Sequence, residues 1–162
     1  MLNNLQIITT GGTIDKIYFD ALSDYKIGDP VIDELMRVMN VGFEYEVLPL
    51  MRKDSLEITD QDRDDIFAAV SASTSKHVLI THGTDTMVKT AQRLHGIADK
   101  SIVLTGALQP AAFKTTDAIF NIGCAIGALQ SAGCGIWIAM NGQVFDAQSV
   151  RKNRAQNRFE SL

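Results

Sequence analysis

The sequence predicts an α/β fold, a doubly wound, mostly parallel sheet with helices on both faces. Three observations carry this expectation. Short apolar, β-rich runs alternate with helical patterns along the chain, the order that builds a parallel sheet covered by helices. Three of those runs lead into Thr and Gly, as ITTGGT, ITHGT and LTGA, and ligands of open α/β sheets bind beyond the carboxyl ends of the strands. A length of 162 residues suits a single domain, here 1–162, that buries roughly 70% of the surface its unfolded chain exposes.

The predicted strands are LQIIT (5–9), FEYEVLPL (43–50), HVLIT (77–81), SIVLT (101–105) and GIWIAM (135–140). The segment DKIYFDALSDYKIG after the first strand reads as irregular or as a hairpin. In DPVIDELMRVMN, Asp29 is the expected N-cap and Pro30 the first helical residue, with Val31, Leu35, Val38 and Met39 on one face. A second helix starts at Thr59, where acidic residues suit a helix N-terminus, and turns Ile66, Phe67 and Val70 inward. TDTMVKTAQRLHGIA and TTDAIFNIGCAIGALQSA supply two more. No charge occurs between Asp117 and Asp146, but QSAGCG interrupts the stretch. It therefore predicts a buried helix and a buried strand, with no membrane span.

Composition narrows the function classes. At 46% hydrophobic and 21% charged residues the chain is an ordinary globule. Its net charge of −4 argues against nucleic acid, which is held by clustered Lys and Arg. The one basic cluster, RKNR with Arg158 behind it, reads as a solvated terminal segment. Cys124 and Cys134 are expected as two buried thiols in a reducing compartment. MLNNLQIITT has neither the basic region nor the cleavage site of an export signal, so a cytoplasmic location is expected. TGGT lacks the spacing of a dinucleotide or nucleotide loop, and His77, His82 and His95 lack metal-ligand spacing. No cofactor and no metal are expected.

Nucleophilic hydrolysis is the chemistry that fits the strand ends. A threonine hydroxyl needs a base or a stabilising neighbour before it attacks a carbonyl. Thr13 lies at one strand end, and Thr84 stands beside Asp85 at another. A lysine in a partly desolvated site can act as the base. Lys53, Lys114 and Lys152 all qualify on position, and residue chemistry does not choose among them. Gly11, Gly12 and Gly83 would let the backbone approach a substrate and leave N–H groups for an oxyanion. The plainer readings are that Thr84 caps the next helix, Asp85 favours its N-terminus, and His82 is a satisfied structural histidine. Tyr25 and Ser55, taken singly, are loop residues.

TTGGTID and ITHGTDTM together strongly resemble the two signature segments of bacterial-type L-asparaginases. With DYKIGD, KDSLEIT, LTGALQPAAFKTTDAIFN and VFDAQSVRKNR in the same order, the resemblance covers nearly the whole chain. It implies the asparaginase N-terminal-domain fold and hydrolysis of L-asparagine to L-aspartate and ammonia through a threonine acyl-enzyme. Thr13 would be the nucleophile, assisted by Tyr25 of the loop. Thr84, Asp85 and Lys152 would move the proton. Ser55, following Asp54, would bind the substrate α-carboxylate and Asp85 would face its amino group. Gly12, Gly83 and Ala107 would contribute backbone contacts.

The chain departs from the family's pattern in several places. Family members carry a second, C-terminal domain, whereas this sequence stops at RFESL, just past the lysine segment. Leu56 follows the serine where a polar residue is common, and Gln109 stands where Arg often follows. Asp15 and Lys16 replace small residues. The alternatives are a non-catalytic or regulatory module binding aspartate or asparagine, and an amidase for another amide such as glutamine. A small amino-acid substrate and a homo-oligomer, dimer or tetramer, are the expected partners.

Overall fold

A computed structural model describes residues 1–162. Strand β1 (Asn4–Gly11) enters a 3-10 turn (Thr13–Asp15), followed by a hairpin of β2 (Lys16–Phe19) and β3 (Asp24–Ile27). Helix α1 (Ile32–Val38) leads to β4 (Glu44–Lys53), and α2 (Asp60–Ala72) to β5 (His77–Thr81). Helix α3 (Met87–Arg93) precedes β6 (Ser101–Thr105), and α4 (Ala118–Ser131) precedes β7 (Gly135–Met140). Strand β8 (Gln143–Asp146) turns back, and β9 (Val150–Asn153) with β10 (Arg158–Ser161) forms a terminal hairpin.

The main sheet has the order β4-β1-β5-β6-β7-β8. All its neighbours are parallel except β7 and β8. The first crossover moves outward from β1 to β4, and the next returns past β1 to β5. Strand order therefore reverses between β1 and β5, which opens a crevice at their carboxyl ends.

Alternation along the strands feeds two cores. Ile8, Val78, Ile80, Ile102 and Leu104 pack on one face against Ile66 and Val70 of α2 and Met87 and Ala91 of α3. Ile7, Leu79, Val103 and Ala139 face the other way, against Ile32 and Met36 of α1 and Ile122 and Ala125 of α4. Each fully buried Ile or Leu contributes about 1.5–3 kcal/mol relative to an exposed one. Helices on both faces of a mostly parallel sheet are the predicted fold class, and the segment after the first strand is the anticipated hairpin.

Four local expectations are corrected. Helix α1 begins at Ile32, and Asp29 does not cap it; Asp29 pairs with Arg52, and the Val31 N–H is taken by Asp15 Oδ1 at 3.0 Å. Its buried positions are Ile32 and Met36, one turn apart, which leaves Val38 and Met39 exposed. Cys124 is only half-buried and Cys134 is exposed, both as free thiols, because Cys134 sits in the turn entering β7. Helix α4 is buried on one side only, with Ile119 and Phe120 facing outward. Thr59 does cap α2, through a reciprocal pair of bonds with Asp62. No helix is long and apolar enough to cross a membrane.

Candidate active site

The predicted site residues come from the carboxyl ends of β1, β4, β5 and β6, from β9, and, for Tyr25, from β3 of the hairpin. Threonines inside the strand ends hold the floor together. Thr10 donates to the Thr81 carbonyl at 2.9 Å and Thr105 to the Ala139 carbonyl at 2.8 Å. These hydroxyls tie neighbouring strands and are thereby already occupied.

Two glycines set the depth of the crevice. Gly12 has φ +90°, and a Cβ there would collide with the Gly83 backbone. A Cβ on Gly83 would lie 2.6 Å from Ser55 Cβ. Glycine is therefore required by close approach at both positions and by conformation at the first. The Gly12 N–H is already bonded to the Lys53 carbonyl at 3.0 Å. It is consequently not a free oxyanion donor, a correction to the sequence expectation.

Beyond β5, the His82 ring locks the next turn. Nδ1 lies 2.7 Å from the Gly83 carbonyl and must donate to it, while Nε2 accepts from Thr90 Oγ1 at 2.8 Å. Complete burial lowers its pKa to about 4, against the Gly83 carbonyl, which raises it; Arg63 lowers it further. His82 is thus the neutral structural histidine that the sequence suggested. Thr84 does not cap α3, whose preceding residue is Thr86. Instead Lys152 Nζ donates to Thr84 Oγ1 and to Asp85 Oδ1, both at 2.8 Å. The Lys152 side chain is only 11% exposed, while Arg151 and Arg154 of the same basic cluster point to solvent. Arg154 Nε adds a longer contact to Asp85 at 3.8 Å. The terminal segment is therefore solvated except at the one lysine that turns inward.

Ser55 and Asp54 close the other side. The Asp85 N–H donates to Ser55 Oγ at 3.2 Å, and Thr86 Oγ1 donates to the Ser55 carbonyl at 2.6 Å. Asp54 caps its own short turn, accepting from the Leu56 N–H at 3.1 Å, and Oδ2 pairs with Lys16 at 3.1 Å. Burial pushes the Asp54 carboxyl up, but the Leu56 N–H and Lys16 outweigh it and hold the pKa below the usual value. Ala107 is buried just beyond β6. Its loop is held by Asp117, which accepts from the Leu108 and Gln109 N–H groups at 3.0 Å.

Thr13 and Tyr25 line one open cleft of about 500 Å³ with Lys16, Asp24, Pro110 and Phe113. Tyr25 stacks edge-on against Phe113 with centroids 5.8 Å apart. The Thr13 and Tyr25 side chains share this wall without bonding to each other, and Lys152 is occupied by Thr84 and Asp85. Of the other candidate lysines, Lys53 is bound to both Asp62 oxygens at 2.8 Å and Lys114 is exposed. Sequence reasoning missed Lys16, Phe113 and Arg154 as members of the site. Arg154 stands in the turn just past β9, where no local pattern signals its contact with Asp85. The hairpin reading signalled Lys16, which opens β2 just past Thr13.

Comparison with known proteins follows the same outline. Residues 4–161 match the family described as Asparaginase, N-terminal. The chain belongs to this family. A Haemophilus influenzae protein named "Probable L-asparaginase periplasmic" is 33% identical over 164 residues, covering 93% of this chain and 46% of its own length. A glutaminase-asparaginase of Acinetobacter glutaminasificans is 29% identical, covering 93% and 50%. The solved thermostable L-asparaginase of Thermococcus kodakarensis superposes with a TM-score of 0.85 at 25% identity, covering 98% of this chain and 51% of that one. This asparaginase N-terminal-type chain spans about half the length of the curated relatives it matches.

Proposed function

We propose that the chain is an amidohydrolase that converts L-asparagine to L-aspartate and ammonia through an acyl-enzyme on Thr13, with residues 1–162 as its catalytic domain. The observation that carries this reading is the Lys152 ammonium held 2.8 Å from both Thr84 Oγ1 and Asp85 Oδ1 in an almost fully enclosed position. Thr13 Oγ attacks the side-chain amide carbon, the C–N bond breaks, and the hydroxyl proton leaves with ammonia. Water then attacks the Thr13 ester, returning the hydroxyl and releasing the carboxylate. Thr84, Lys152 and Asp85 carry the protons, Tyr25 assists Thr13 from the hairpin, and Gly12, Gly83 and Ala107 lie along the substrate through their backbone. Asp85 faces the substrate amine, and Ser55 with Asp54 marks the α-carboxylate end.

Ammonia release from L-asparagine tests this directly. Thr13→Ala and Lys152→Met are each expected to lower it at least about 100-fold, the scale of a lost nucleophile or proton carrier. Full activity in Thr13→Ala would overturn the assignment. Aspartate binding without ammonia would instead indicate a regulatory binding module. The name of the Acinetobacter relative supports a second substrate, L-glutamine, which belongs in the same assay.

A homo-oligomer in the cytoplasm completes the reading. Helices α1 and α4 flank an apolar groove of about 260 Å³, beside exposed Met39, Ile119 and Phe120, and such a face marks an interface. The free thiols Cys124 and Cys134 suit a reducing compartment.

A further inference from the structure

We infer that Lys16 is a specificity-determining residue, whose ammonium recognises the α-carboxylate of the amino-acid substrate in the Thr13 cleft. The inference rests on the amidohydrolase reading and adds a residue to it. Lys16 begins β2, three positions after Thr13, and lines the same cleft wall. Its Nζ lies 3.1 Å from Asp54 Oδ2, with the lysine side chain 30% exposed. A lysine ammonium carries three donors, and Asp54 takes one of them.

The neighbouring groups leave this role open to Lys16. Asp54 carries the wrong charge for a carboxylate, and its other oxygen caps the Leu56 N–H. A bare Asp54 beside Ser55 would repel the substrate's α-carboxylate, and the Lys16 ammonium neutralises that carboxylate while keeping donors to spare. Ser55, one residue along, uses its oxygen to accept the Asp85 N–H, so its hydroxyl proton is free to donate. Ser55 is 2% exposed, which makes it a fixed partner, whereas the Lys16 side chain is 30% exposed and reaches the open cleft. The other nearby ammonium, Lys152, is spent on Thr84 and Asp85. Asp24, across the cleft, accepts from the Tyr25 N–H at 2.7 Å and contributes only negative charge. Lys16 therefore supplies the one cation with spare donors on the wall that holds Thr13.

The test compares substrates that differ by one group. Succinamate retains the carboxylate and the amide of asparagine, and 3-aminopropanamide retains the amine and the amide. In Lys16→Met, KM for asparagine and succinamate should rise roughly 10- to 100-fold, the range for losing a charged hydrogen bond. Their kcat should change less than about twofold, since the lost contact is equal in ground and transition states. Turnover of 3-aminopropanamide should be unchanged, and Lys16→Arg should restore most of the affinity. Calorimetry with L-aspartate gives a readout that needs no turnover, and its affinity should fall by the same factor in Lys16→Met. Unchanged asparagine KM and aspartate affinity in Lys16→Met, with the wild type active, would overturn the role of Lys16 alone. An equal loss on all three substrates would also overturn it. A wild type that binds aspartate but releases no ammonia would overturn the amidohydrolase reading and leave the Lys16 inference to the calorimetry.

Discussion

The two halves of the candidate site are built in different ways. The half at the end of β5 is backbone against backbone, with Gly12 on Gly83, His82 clamping the Gly83 carbonyl, and Lys152 enclosed between Thr84 and Asp85. The half on the β2–β3 hairpin is an exposed ribbon, with Ile17, Tyr18, Phe19 and Tyr25 all open to solvent. It touches the body through Tyr25 on Phe113, the Lys16–Asp54 pair and the Asp15 anchor at its base. The contrast teaches that the groups proposed to move protons are fixed by packing, where a shift of a few tenths of an ångström is costly. The groups proposed to meet the substrate from the hairpin sit where opening is cheap.

The largest expected effect comes from breaking the packed half. Gly12→Ala adds a Cβ into the Gly83 backbone, which has no rotamer to yield, at a residue with φ +90°. Overpacking and left-handed strain each cost about 1–3 kcal/mol. A destabilisation of several kcal/mol is expected in urea unfolding, together with loss of ammonia release. A variant with the wild-type midpoint would show that the two loops can part, and the contrast would fail.

Asp15 anchors the base of the hairpin to the start of α1, and pH exposes it. Its carboxylate is buried, bonded only to the Val31 N–H, and its second oxygen has no partner. Burial raises its pKa from 3.8 to about 6, although the Val31 N–H and Arg52 pull it down. Between about pH 4 and pH 6 the folded chain keeps a proton that the unfolded chain has lost, so this group's contribution to stability falls as pH rises. Above about pH 6 the loss is complete, and at about 1.4 kcal/mol per pKa unit it amounts to about 3 kcal/mol. Asp15→Asn keeps an acceptor for Val31 and removes the charge. Relative to wild type it should gain stability progressively from pH 4 to pH 7 in urea titrations. A difference that stays flat with pH would show that Asp15 is solvated and that the anchor is loose.

The sheet, its two faces and the Thr59 cap were legible because period-two and helical patterns report burial directly. The start of α1 was not, since Asp15 takes the Val31 N–H just ahead of it from a turn 16 residues away in sequence, beyond any local signal. Lys152 shows the same limit for the site. Residue chemistry offered three lysines, and only the fold of β9 brings one of them onto Thr84 while Asp62 captures Lys53. The resemblance in motif order pointed to the same lysine. Gly12 was legible as a glycine but not as a donor already in use, because its partner carbonyl lies on β4.

The smallest effect tests the exposed half. The Tyr25–Phe113 contact is edge-to-face at 5.8 Å between rings that are 45% and 38% exposed. An aromatic pair adds about 0.5–1.5 kcal/mol beyond its burial, and solvent on both rings places this one at the low end. Phe113→Ala should therefore leave the global unfolding midpoint nearly where it was. The same change removes one of the few contacts that hold the hairpin to the body, so amide exchange across β2 and β3 should quicken while that of β1 and β5 stays the same. If all four strands lost protection together, the hairpin would belong to the same cooperative unit as the packed edge. Tyr25 would then meet the substrate from a wall as fixed as the one that holds Lys152.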